Sequence, residues 1–95
     1  MEVRETTVFS EWLSGLRDVR AVARIDIRIK RLQLGLFGDV KPVGGSVGEL
    51  RIDYGPGYRV YFTQRGAELI ILLCGGDKRT QDRDIKLARA MAAEF

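Results

Sequence analysis

Between Glu49 and Phe62 the chain reads ELRIDYGPGYRVYF, two segments of alternating apolar and polar residues on either side of Gly55-Pro56-Gly57. A period of two puts successive side chains on opposite faces of a strand. Glycine and proline between two such runs mark a hairpin turn. With the three turn residues as the loop, Tyr54 faces Tyr58, and Ile52 pairs with Val60 and Leu50 with Phe62 on a core face. The opposite face then sets Asp53 beside Arg59, Arg51 beside Tyr61 and Glu49 beside Thr63. That polar face is where chemistry is expected.

The other elements arrange themselves around this hairpin. Glu2 to Phe9 alternates weakly and reads as an edge strand, after which Ser10 caps a short helix with Phe9, Trp12, Leu13 and Leu16 on one side and Gly15 limiting it. Asp18 caps a second helix, Val19 to Leu34, whose Val22, Ile25, Ile29 and Leu32 recur at spacings of three and four before Gly35 stops it. Its other face carries Arg17, Arg20, Arg24, Arg28 and Arg31, a pattern shared by solvated helix faces and anion-facing ones. Leu36 to Ser46, broken by Gly38, Pro42, Gly44 and Gly45, reads as a loop. Beyond the hairpin, a tight turn around Arg65-Gly66 leads to Leu69 to Leu73, an apolar run without alternation, expected at the centre of the sheet. Gly75-Gly76 reads as a sharp strand exit, and a last helix, roughly Asp82 to Glu94, has Ile85, Ala88, Ala92 and Phe95 as its apolar stripe. The expected class is α+β: an N-terminal strand, two helices, an antiparallel three-stranded meander and a C-terminal helix.

Length and composition narrow the function. With 95 residues one domain is expected, and a net charge of +3 carried mostly by arginine favours an anionic partner, because guanidinium forks match phosphate and carboxylate oxygens. The absence of histidine removes zinc–histidine sites, Ser-His triads and imidazole acid–base pairs. Cys74 has no disulfide partner and sits in an apolar run, so it is expected to be core rather than nucleophile, in a cytoplasmic chain with neither leader nor membrane span. Asp77, Asp82 and Asp84 match no calcium loop, the last two suiting a helix start, and Gly75-Gly76 matches no phosphate-binding fingerprint. No metal or cofactor is expected.

On residues alone, Arg51, Arg59 and Tyr61 share a sheet face, and Lys78 lies just past the next strand. Two readings stand level. The group could stabilise charge on a phosphorane, or Arg59 could pair with Asp53 across the strands while Tyr61 packs on a helix.

At FSEWLSGLRD (Phe9 to Asp18), ARIDIRIKRLQLGLFGD (Ala23 to Asp39), ELRIDYGPGYRVYF and LLCGGDKRTQDRDI (Leu72 to Ile85) the chain resembles the RelE/HigB toxin superfamily, in particular the addiction-module killer proteins. The resemblance implies a RelE-like fold over residues 1–95 as a single toxin domain of a type II toxin–antitoxin system. It implies a ribosome-dependent, metal-independent mRNA endoribonuclease in which the 2′-OH attacks the adjacent phosphate, halting translation and growth. It also implies a cognate HigA-like antitoxin, held in a hetero-oligomer. Carried over by motif, Arg59 of GYR stabilises the transition state, Arg51 of ELR assists, and Lys78 of GGDK is a phosphate ligand or acid. Tyr61 joins them by location. Arg24, Arg28, Arg31 and Arg79 form the implied RNA-binding surface. Unlike some relatives, the chain lacks histidine and a clear C-terminal tyrosine, so Glu49 becomes the candidate base, a weak one beside an arginine. Gyrase-poisoning toxins of the ParE type share this fold without cutting RNA, so a non-enzymatic inhibitor is the alternative, with a basic nucleic-acid-binding module as a third reading.

Overall fold

The computed structural model describes residues 1–95. Strand β1 (Glu2–Glu5) is followed by helices α1 (Thr7–Ser14) and α2 (Val19–Gln33), strands β2 (Val40–Pro42), β3 (Val47–Ile52), β4 (Tyr58–Arg65) and β5 (Leu69–Asp77), one 3₁₀ turn (Lys78–Thr80) and α3 (Gln81–Ala92). The five strands form one mixed sheet in the order β1-β5-β4-β3-β2, with β1 parallel to β5 and every other pair antiparallel. This is an α+β chain with one strand more than the sequence pattern suggests.

The added strand is β2, inside the stretch expected to be loop. Its Pro42 lies on the sheet edge, where a missing N–H leaves no ladder bond broken, and Val40 sits opposite Leu50. Position in the sheet differs as well. β4 is central and β5 is an inner strand beside it, whereas the apolar run of β5 had marked it as the centre.

Caps decide where the helices begin. Thr6, not Ser10, caps α1: its Oγ1 accepts the Phe9 N–H at 3.1 Å and donates to the Leu73 carbonyl at 2.6 Å, fastening the helix to β5. The first strand therefore ends at Glu5 rather than Phe9, and Ser10 lies within the helix, donating to the Glu5 carboxylate at 2.7 Å. Asp18 does cap α2, through the N–H groups of Arg20 and Ala21 at 2.9 and 3.2 Å. Gly35, at φ 76°, follows the helix end.

The sheet is covered on both faces. On one, Phe9 of α1 and Ile25, Ile29 and Leu32 of α2 pack on Leu50, Ile52, Val60, Phe62, Ile70 and Leu72. On the other, Ala88 and Ala92 of α3 lie against Val47, Tyr61, Ile71, Leu73 and Cys74. Phe95, expected in the α3 stripe, lies beyond the helix and is 58% exposed.

The hairpin register is two residues from expectation. Ile52 pairs with Tyr58, Arg51 with Arg59, Leu50 with Val60 and Glu49 with Tyr61, so the loop is Asp53 to Gly57. A slip of one would have exchanged the faces, but a slip of two exchanges only partners. Core and polar faces are as expected, and Tyr54, off the ladder, donates to Asp18 Oδ2 at 3.0 Å. The next turn also shifts: Arg65 pairs with Leu69 around Gly66 to Glu68, with Gly66 at φ 65°.

A bulge shapes β5. Tyr61 pairs with Cys74 and Phe62 with Leu72, leaving Leu73 as the extra residue. Leu73 and Cys74 consequently both face α3, and the strand runs on through Gly75 and Gly76 instead of ending there. Each glycine has a packing reason. A Cβ on Gly75 would lie 2.3 Å from the Trp12 ring, and one on Gly76 would lie 1.9 Å from Asp84 Oδ2. Cys74 is buried as expected, and burial together with Asp84 pushes its thiol up to about 12.

Gly75→Ala should therefore lower unfolding stability by about 2 kcal/mol through overpacking. Adding Trp12→Leu should recover part of that loss in urea titration; equal loss in single and double variants would show that the ring is not the obstacle. A second expectation concerns acid. The N–H of Ala21 and the Tyr54 hydroxyl hold the Asp18 carboxyl below its ordinary value, so its contribution is complete above about pH 4 and is lost as pH falls through the lowered folded value. Thermal melts of Asp18→Asn and the parent should converge as pH falls through that window, and a constant gap would refute the assignment.

Candidate functional site

The polar face of the hairpin lies on the α3 side of the sheet, beyond the end of the helix. The observed register sets Arg51 directly opposite Arg59, and like charges in that position repel. Glu49 offsets the repulsion. Its Oε1 lies 3.9 Å from the Nε of both Arg51 and Arg59, while Oε2 accepts hydrogen bonds from Tyr61 Oη at 2.9 Å and Gln81 Nε2 at 2.8 Å. Arg59 pairs with this carboxylate rather than with Asp53, the partner that one of the two sequence readings gave it.

The depth of these residues separates them. Glu49 and Tyr61 have no exposed surface and Arg59 is only 4% exposed, whereas the Arg51 side chain is 40% exposed and Lys78 lies on the surface. Burial, then the bond to Glu49, raises the Tyr61 phenol well above its ordinary range, so it stays protonated and donates. Arg59 Nη1 donates to the carbonyls of Gly57 and Tyr58, both at 3.1 Å, which anchors the guanidinium to its own turn. Lys78 closes the other side: its N–H donates to the Gly57 carbonyl at 3.1 Å and its methylenes lie where a Gly57 Cβ would be, 3.0 Å away.

These residues border a cleft of about 260 Å³, lined by Arg51, Arg59 and Lys78 with Asp39, Asp53 and the turn glycines. Arg51, Arg59 and Lys78, grouped from the sequence, thus meet in one cleft. Glu49 and Tyr61 lie beneath it, out of reach of a ligand in this conformation.

Of the implied RNA-binding arginines, three share one groove and Arg79 stands apart. Arg28 donates to the carbonyls of Arg51 at 2.6 Å and of Phe37 and Asp39 at 3.3 Å, clasping α2 to the hairpin. The Arg24 guanidinium stands 4.7 Å above the Tyr54 ring. Arg24, Arg28 and Arg31 line a neighbouring groove of about 280 Å³ that shares Ile52 and Asp53 with the cleft. Arg79 bonds to Asp77 through Nε and Nη2 at 3.2 and 2.9 Å, and that pairing lowers the Asp77 carboxyl.

Sequence reasoning missed Gln81 and Asp39 as parts of this site, and gave Asp53 only as a cross-strand neighbour of Arg59 on the polar face. Gln81 carries no local signal, because only the docking of α3 across the sheet brings it to Glu49. No group of three or more His, Cys, Asp or Glu side chains is placed to hold a metal ion, and no helix is long and apolar enough to cross a membrane.

Fold and site together define a small α+β protein with an arginine-lined cleft over a buried carboxylate. The chain belongs to the family described as phage derived protein Gp49-like (DUF891), matched by residues 11–92. It is also 54% identical over 95 residues to an uncharacterized protein of Haemophilus influenzae (strain ATCC 51907 / DSM 11121 / KW20 / Rd), covering 100% of this chain and 96% of that protein.

Glu49→Gln should destabilise the fold by about 3 kcal/mol, since it leaves Arg59 buried without a counter-charge. Lys78→Ala, at the exposed rim, should change stability by less than about 0.5 kcal/mol. Urea unfolding of the two variants checks the contrast, and equal effects would contradict the division between buried floor and open rim.

Proposed function

We propose that this protein is the toxin of a type II toxin–antitoxin system and cuts mRNA on the ribosome without a metal ion. The convergence of Arg51, Arg59 and Lys78 on one cleft carries the reading. The Gp49-like family is associated with toxin–antitoxin systems and related to RelE-like toxins, which supports it. In this reading a 2′-oxygen attacks the neighbouring phosphorus, the bond to the 5′-oxygen breaks, and a 2′,3′-cyclic phosphate and a 5′-hydroxyl result. Arg51 and Arg59 hold the charge that builds on the phosphoryl oxygens. Lys78 supplies a proton to the departing 5′-oxygen, and Asp39 or Asp53, the carboxylates of the cleft, receive the one lost from the 2′-OH. With so few groups for proton transfer, much of the rate comes from the ribosome holding the message in line. A cognate HigA-like antitoxin completes the system, covering basic surface such as Arg20 and Arg31, both exposed on α2.

One observation favours a second reading. Glu49, the base candidate from the sequence, is buried, as is Tyr61 beside it, which suits a non-enzymatic inhibitor such as a gyrase poison.

The two readings separate on brief expression with RNA 5′ ends and DNA breaks mapped in parallel. The nuclease reading expects new RNA ends and no DNA breaks, with Arg51→Ala slowing cleavage on the order of 10²-fold and Lys78→Ala also reducing it, both variants remaining folded. DNA breaks without new RNA ends would replace it with the inhibitor reading.

A further inference from the structure

We infer that Gln81, acting with Tyr61, is a positioning residue that holds the Glu49 carboxylate back from a full ion pair with Arg59, leaving the arginine pair free to receive a phosphodiester. The inference rests on the proposed RNA-cleaving role of the cleft.

Two donors from different elements, Tyr61 Oη on β4 and Gln81 Nε2 at the start of α3, converge on the same oxygen, Oε2, at 2.9 and 2.8 Å. The other oxygen, Oε1, lies 3.9 Å from Arg59 Nε, and both atoms are buried without a hydrogen bond. A buried carboxylate and guanidinium at this separation would ordinarily close into a short, forked pair, because leaving either polar atom unmatched is unfavourable. Something must hold them apart. Arg59 is tied to the carbonyls of Gly57 and Tyr58 through Nη1, and Glu49 is tied through Oε2 to Tyr61 and Gln81.

The separation has a chemical use. At 3.9 Å the carboxylate still offsets the repulsion between the opposed Arg51 and Arg59. It does not draw the Arg59 guanidinium down into a forked pair, so the part of it that lines the cleft stays beside Arg51 for an incoming phosphate. Besides the two arginines, Glu49 has Lys41 as its cross-strand neighbour on β2, and Asp84 of α3 acts on Tyr61 nearby. Neither takes Oε2 from its two donors. Gln81 is the adjustable member, since it lies at the partly exposed start of α3, whereas Tyr61 is a fully buried part of the core.

The test uses Gln81→Met, which keeps side-chain length and removes the donor, Tyr61→Phe, which removes only the hydroxyl, and the double variant. Nitrogen-15 spectra of the arginine side chains report the geometry whether or not the protein cuts RNA. In the double variant the Arg59 Nε–Hε proton should move downfield and exchange more slowly with water as Glu49 closes onto it. An unmoved signal would overturn the inference. Single-turnover cleavage of ribosome-bound mRNA should fall about 10-fold or more in Gln81→Met, with half-saturation little changed and the melting temperature not lowered in proportion. If the geometry shifts while a cleaving wild type and Gln81→Met cut equally fast, the positioning role is refuted. If the wild type cuts no RNA, the nuclease reading fails, and the Arg59 signal decides the geometry by itself.

Discussion

The polar half of the molecule depends on one buried carboxylate. A sheet that sets two arginines directly opposite each other, one of them almost wholly enclosed, is stable only if a negative charge lies between them, and Glu49 is that charge. Because it is buried, its second oxygen needs partners, and these come from the facing strand and from a helix distant in sequence. The start of α3 is thereby joined to the hairpin by polar bonds as well as by the apolar contacts of Ala88 and Ala92. Electrostatics at the cleft and attachment of the last helix are a single problem in this fold.

The arginines themselves divide by task. Arg28 reaches three backbone carbonyls and, by holding that of Arg51, braces the strand that carries a cleft residue. Arg65 reaches the carbonyl of Ala92 at 2.6 Å and so satisfies an acceptor in the last turn of α3. A positively charged composition therefore overstates how much charge is available to a partner, because several guanidinium groups serve as multi-armed donors for carbonyls that strands and helices leave over.

The sequence revealed most where a pattern repeats. Alternation on either side of Gly55-Pro56-Gly57 identified both faces of the hairpin, and the spacing of Ile25, Ile29 and Leu32 identified the buried side of α2. A two-residue error in register left those faces intact, so Arg51 and Arg59 were correctly grouped even though their partners were not. What could not be read depended on contacts between distant segments. Thr6 outcompetes Ser10 as a cap because β5 supplies a second bond for its hydroxyl. The glycines of β5 are explained by Trp12 and Asp84, neither adjacent in sequence. Burial of Glu49 and Tyr61 also follows from the placement of α3, which no local pattern encodes.

The extra residue at Leu73 works as a phase shifter. In an uninterrupted β5, even-numbered side chains would all face α1 and α2, as Ile70 and Leu72 do. Lys78 would then leave the strand on the opposite side of the sheet from Arg51 and Arg59. Inserting one unpaired residue advances the alternation by half a period, so Gly76 comes to lie under Asp84 and Lys78 emerges on the side of the cleft. The third cation of the site thus owes its side of the sheet to a single residue of strand length. Pairing Leu73 into the ladder at unchanged strand length would turn Lys78 away from the cleft without altering any of the residues that line it.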